Sequence, residues 1–132
     1  MLRYRRASRG PCGLMQQLHA TGGVVLLGAI AVFSLILLVL AFTSGARPWI
    51  ERARTLLTAL IALQAAVGAL LYVTGGRPGE TLHVLYGVVA LAALPLASSF
   101  SSEAPPKARA GVLALGGLLT LGLLVRLLST GD

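Results

Sequence analysis

The sequence predicts an all-α integral membrane protein, a bundle of four transmembrane helices that run up-down-up-down. Of its 132 residues, 56% are hydrophobic and only 11% are charged, against about 25% charged residues in a typical soluble domain. The hydrophobic residues form four runs, each close to the roughly 20 residues that a helix needs to cross the hydrocarbon core. None of these runs alternates as a transmembrane β-strand does, so helices must satisfy the backbone hydrogen bonds in lipid.

The four predicted helices cover residues 18–43, 55–74, 81–100 and 110–128, and short linkers rich in glycine, proline and serine separate them. Such short linkers make successive helices antiparallel neighbours. We therefore treat residues 1–132 as one membrane domain that starts with a basic arm at residues 1–16. The first apolar run is longer than the 7–15 residues of a usual signal peptide, so we expect an uncleaved membrane helix.

The net charge of +7 lies at the edges of the apolar runs, which indicates membrane lipids rather than nucleic acid as the partner. In the predicted bundle, six basic residues fall on the amino-terminal side and five on the other. The six are Arg3, Arg5, Arg6, Arg9, Arg77 and Arg126; the five are Arg47, Arg52, Arg54, Lys107 and Arg109. Four arginines before the first helix favour a cytoplasmic amino terminus, in a multi-pass protein that we expect in a bacterial plasma membrane.

Small residues on the second and fourth helices are expected to form the helix contacts, because lipid gives no hydrophobic drive for helices to associate. The candidates are Ala62, Ala65, Ala66, Gly68 and Ala69 on the second helix, and Gly111, Gly116, Gly117 and Gly122 on the fourth. Gln64 lies on one helix face with Gly68 and Tyr72. Either an interhelical hydrogen bond or a ligand contact accounts for a glutamine at this depth.

Two histidines stand in the same local pattern. His19 opens the first helix and is followed by Gly23, while His83 opens the third helix and is followed by Gly87. Each glycine lies one turn along the same helix face as its histidine, and the two helices are parallel in the predicted bundle. Two imidazoles at one depth, each beside a glycine that lets a porphyrin approach the backbone, suit haem iron ligated by His19 and His83. The alternative is that both are interfacial polar residues.

Two arginines accompany the histidines at this end of the predicted bundle. Arg77 lies in the turn before the third helix and Arg126 near the end of the fourth. Guanidinium groups bind carboxylates well, so both are candidates for the haem propionates. Arg126 also has a simpler interpretation, in which its side chain extends to the headgroup region.

The stretch from Leu63 to Leu70, followed by a Gly/Pro turn and Leu82-His83, resembles one half of haem A synthase. In that family a Leu-Gln-x-x-x-Gly helix precedes a helix that opens with a haem-ligating histidine, and a second ligating histidine lies on the parallel helix before. The resemblance covers residues 17–97 and implies that His19 and His83 are the ligands. Haem A synthases have eight helices in two such halves, whereas this chain has four, as small transmembrane cytochromes b do.

Two functions stay open at this point. The first is a haem-b-binding membrane subunit that exchanges electrons with a quinone or a redox partner in a respiratory-type complex. The second is a cofactor-free accessory or assembly subunit of a larger membrane complex. The sequence contains no catalytic constellation of its own. Transport is disfavoured because the predicted spans carry no Asp, Glu or Lys to line a pathway.

Overall fold

The computed structural model describes residues 11–75 and 80–131, and within these residues it consists of four α-helices and short turns. The helices are α1 (Pro11–Phe42), α2 (Pro48–Val73), α3 (Leu82–Phe100) and α4 (Pro106–Thr130). All four are long and apolar enough to cross a membrane. The predicted all-α four-helix bundle is confirmed.

The helices extend beyond the apolar runs from which they were predicted. α1 is already helical at Pro11, inside the segment expected to be a basic arm, and α2 begins at Pro48 rather than near residue 55. Trp49 consequently lies in the first turn of α2 and not in a linker. Hydropathy marks only the part of a helix that fits in hydrocarbon. Proline marks the true start of α2 and of α4, because the first turn of a helix does not need its N–H group.

The helices form a ring in chain order, with α4 packed most extensively against α1 and α3, and α2 held more loosely between α1 and α3. Consecutive helices are antiparallel, so α1 and α3 lie diagonally across the ring and run in the same direction. Ile30, Leu37, Leu94 and Leu113 are completely buried at the centre of the bundle. The centre of the core is therefore formed by α1, α3 and α4, and α2 adds three buried residues to it.

Two adjacent glycines of α4 allow this close packing. A Cβ on Gly117 would lie 2.3 Å from Oγ of Ser34 on α1, and a Cβ on Gly116 would lie 2.6 Å from Cβ of Ala97 on α3. The buried Ser34 hydroxyl donates to the Ile30 carbonyl at 2.8 Å, so its hydrogen finds an acceptor within α1. The prediction that glycines of α4 form helix contacts is confirmed at these two positions.

Gly68 and Gly111 also border α1, whereas the other five predicted small residues are placed differently from the prediction. A Cβ on Gly122 would meet nothing within 4 Å, and the four alanines of α2 lie on its exposed surface: Ala62, Ala65, Ala66 and Ala69. Their side chains face the surroundings of the bundle because α2 buries only one narrow strip, formed by Ile50, Leu57 and Ile61. Size alone does not tell which side of a helix faces its neighbours.

The turn between α1 and α2 is bound to the start of α4. Gly45 has φ +80°, a left-handed conformation that favours glycine, and a Cβ there would lie 2.7 Å from the Pro106 carbonyl carbon. The Ala46 N–H donates to the Pro106 carbonyl at 2.8 Å. Glycine at this turn lets two backbone segments meet.

Glu51 connects α2 to α4 at this same end. Its Oε2 accepts from Nε of Arg54 at 2.9 Å, and its Oε1 accepts from a guanidinium nitrogen of Arg109 at 2.5 Å. Arg109 also donates to the Ser102 carbonyl at 3.1 Å. One carboxylate therefore joins the loosely packed α2 to the helix that forms most of the core.

Glu51→Gln is expected to lower the thermal stability of the detergent-purified protein slightly, by about 1 kcal/mol or less, because the pairs are partly exposed. Glu103→Gln is the matched control, since Glu103 is exposed in the turn before α4 and forms no ion pair in residues 11–75 and 80–131. Equal melting temperatures for the two variants would contradict a role of Glu51 in holding α2.

Candidate cofactor-binding site

The two histidines lie at the end of the bundle opposite Glu51, one on each of the diagonal helices. The ring centroids of His19 and His83 are 6.4 Å apart, and the ring planes are tilted by 57°. Helices α1 and α3 do not pack directly against each other, so the imidazoles reach toward one another across the bundle. The structure brings together the pair that the sequence predicted.

His83 is oriented by the end of α4. Its Nδ1 lies 3.3 Å from Oγ1 of Thr130, and that hydroxyl donates to the Arg126 carbonyl at 2.8 Å. A threonine hydroxyl has a single hydrogen, so toward His83 it acts as the acceptor. We therefore assign the proton of His83 to Nδ1, which leaves the lone pair on Nε2 free to bind a metal.

His19 is positioned by α2. Its backbone carbonyl accepts a hydrogen bond from Nε2 of Gln64, and a Cβ on Gly68 would lie 2.9 Å from Cε1 of the His19 ring. The Gln64 amide fits against α1 because Gly22 has no side chain; a Cβ there would be 2.7 Å from Oε1 of Gln64. The interhelical hydrogen bond predicted for Gln64 is thus present.

The Nδ1 atom of His19 is buried and has no hydrogen-bond partner among the described residues. Burying such a group without a partner costs free energy. The two imidazoles therefore have unlike surroundings: His83 is held through its ring nitrogen, whereas His19 is held only through its backbone and the contact with Gly68.

The glycines that follow the histidines border leucines of α4. A Cβ on Gly23 would lie 3.3 Å from Cδ2 of Leu128, and a Cβ on Gly87 would lie 4.0 Å from Cδ2 of Leu127. Both spaces thus border the ends of flexible apolar side chains. A Cβ on Gly23 would also lie 3.8 Å from Nε2 of Gln64, so this glycine has a polar neighbour as well.

Only some of the polar residues predicted near the two histidines lie in the described part of the structure. Arg126 is exposed on α4, one turn before Thr130, at the histidine end of the bundle. Tyr72, predicted to share a face with Gln64, is 54% exposed at the same end. Arg77 lies outside the described residues, so its predicted contact with a propionate stays a prediction.

Sequence reasoning missed Thr130, Gly22 and Gly131. A Cβ on Gly131 would lie 3.0 Å from Cε1 of His83, so the last residues of α4 surround that ring. The position of Thr130 near His83 could have been predicted from the sequence, because an antiparallel α3–α4 pair places the end of α4 beside the start of α3. Gly22 had no comparable signal, since nothing in the sequence tells which of two adjacent glycines faces α2.

The chain matches no protein-family model, no curated protein sequence and no solved structure. Within the described residues, no group of three or more His, Cys, Asp or Glu side chains could hold a metal ion. What the site offers is a pair of imidazoles in an apolar, four-helix setting, inside a small multi-pass integral membrane protein.

Proposed function

We propose that this membrane protein binds haem b between α1 and α3, where His19 and His83 would hold the iron, and that it passes electrons between a quinone or a partner subunit and a redox protein. The bound haem would supply one-electron redox chemistry. The single observation that carries the proposal is the facing pair of imidazoles on the two diagonal helices.

The separation of the rings supports this ligand pair. Metal–imidazole bonds are about 2 Å long, so two imidazoles that would hold the same iron need ring centres no more than about 6 Å apart. The observed separation is 6.4 Å. The porphyrin would supply the other ligands of the iron, and the two histidines would complete the ligand set.

The residues near the two histidines also suit a haem group. Thr130 keeps the lone pair of His83 on Nε2, as a hydrogen-bonded metal ligand requires. Gly23 and Gly87 border leucine side chains of α4. Arg126 at this end is a candidate partner for a propionate. The apolar walls of the bundle would exclude water and so help to set the redox potential.

The test is a reduced-minus-oxidised visible spectrum of the protein purified from a haem-supplied host, with the double variant His19→Ala/His83→Ala alongside. We expect a sharp low-spin haem signal near one haem per chain in the natural sequence and none in the double variant. A folded, monodisperse natural protein with a flat spectrum would rule the proposal out.

The second candidate, an accessory subunit without a cofactor, is favoured by the exposure of α2. This helix of 26 residues buries only three of them and presents Leu56, Leu60 and Leu63 outward. A partner helix packed on this surface would explain it. A flat spectrum together with a membrane protein that co-purifies in fixed ratio would support this function instead.

A further inference from the structure

A shallow groove, largely open to the surroundings of the bundle, lies along one face of α2 at the end of the bundle opposite the histidines. It is lined by Glu51, Arg52, Thr55, Leu56 and Ala59. We propose that this groove binds one anionic phospholipid, with the phosphodiester at Arg52 and an acyl chain along Leu56 and Ala59. The proposal is independent of whether the protein binds haem.

The lining of the groove changes along α2 as the polarity of a lipid changes from its headgroup to its acyl chains. Trp49 lies one turn before Arg52 and is 46% exposed, which places this turn at the headgroup level where interfacial tryptophans are found. Ala59 is seven residues further along α2, about 10 Å deeper at the helical rise. The lining thus changes from basic to apolar over the distance from headgroup to hydrocarbon.

The charge of the groove favours an anion even though Glu51 lines it. Both oxygens of Glu51 are engaged, one by Arg54 and the other by Arg109, so the carboxylate is already compensated by two cations. Arg52 is exposed and forms no hydrogen bond or ion pair with the described part of the chain. Its guanidinium is available for a phosphate.

Arg52 is the main donor that the groove provides. The Thr55 hydroxyl already donates its hydrogen to the Glu51 carbonyl at 2.8 Å, so it has none left for a phosphate oxygen. Binding of an anionic headgroup should therefore depend strongly on this one arginine. The surrounding surface adds to the attraction, because this end carries five basic residues and only two acidic ones, Glu51 and Glu103.

The test compares Arg52→Gln with Lys107→Gln, which removes the same charge from an exposed site on the same end of the bundle but outside the groove. Phosphatidylglycerol is titrated into detergent-purified protein, bound lipids are counted by native mass spectrometry, and phosphatidylcholine is the neutral reference. We expect Arg52→Gln to weaken binding of the first phosphatidylglycerol at least about tenfold, the equivalent of one hydrogen bond between charged groups. Lys107→Gln and Arg52→Lys should retain it.

Three results would overturn the proposal. Equal losses in Arg52→Gln and Lys107→Gln would show that only the net charge attracts the lipid. Equal binding of phosphatidylcholine would show that the headgroup charge is not recognised. Competition by millimolar inorganic phosphate that removes the lipid completely would show a site for phosphate without an acyl-chain contact. The melting temperature of each variant in phosphatidylcholine serves as the control for folding.

Discussion

Thr130→Val is expected to weaken haem binding by about 10- to 100-fold, the usual cost of removing the hydrogen-bond partner of a metal-ligating histidine, while His83→Ala abolishes the low-spin signal. Valine keeps the shape of threonine but cannot accept from Nδ1 of His83, a contact of 3.3 Å here. The imidazole then loses its fixed tautomer and orientation. Haem titration followed by absorbance gives the dissociation constants.

Thr74→Val is the matched control for this substitution. Thr74 follows α2 at the same end of the bundle, and its hydroxyl donates only to carbonyls of its own preceding turn, those of Leu70 and Leu71. If Thr74→Val weakens haem binding as much as Thr130→Val does, the hydrogen bond to His83 has no special role. If neither variant nor the natural protein binds haem, the proposed function itself has failed.

Gly117→Ala is expected to destabilise the bundle by about 1–3 kcal/mol, the range for overpacking a close-packed interior. The added Cβ would lie 2.3 Å from Oγ of Ser34 and 3.6 Å from its Cα, so either Ser34 must change rotamer and lose its hydrogen bond to Ile30, or α1 and α4 must move apart. Unfolding of the detergent-purified protein by SDS or heat, followed by circular dichroism, measures the loss.

Gly122→Ala provides the comparison on the same helix, because a Cβ at this position meets nothing within 4 Å. Its stability should be unchanged or higher, since alanine favours the helix over glycine. The exchange Ser34→Gly combined with Gly117→Ala should recover most of the loss, because it removes the opposing side chain. Similar melting curves for Gly117→Ala and Gly122→Ala would contradict the close α1–α4 contact.

The architecture could be predicted from the sequence because lipid imposes a single requirement on length and polarity. Four apolar runs with short linkers leave few arrangements, and the antiparallel order then places the starts of α1 and α3 at the same end. His19 and His83 could be paired for that reason alone. The helix starts at Pro48 and Pro106 could have been read from proline chemistry rather than from hydropathy.

The rotation of each helix about its own axis could not be predicted in the same way. In a soluble protein the polar face of a helix marks its outside, but here both sides of α2 are apolar and the alanines gave no direction. For the same reason, the contact of Gly22 with Gln64 could not be predicted. Nor could Gly116 and Gly117, which pack against other helices, be told apart from Gly122, which does not. These choices depend on complementary shapes between helices that are distant in sequence.

The packing of α4 has a consequence for how the protein is made. Helices enter the membrane in chain order, and each is stable there on its own before it associates with others. Because α1 and α3 each pack mainly against α4, the main partner of both is the last of these four helices to be synthesised. The first three helices therefore form only a loose set in the bilayer, and the compact bundle forms only when α4 has been inserted.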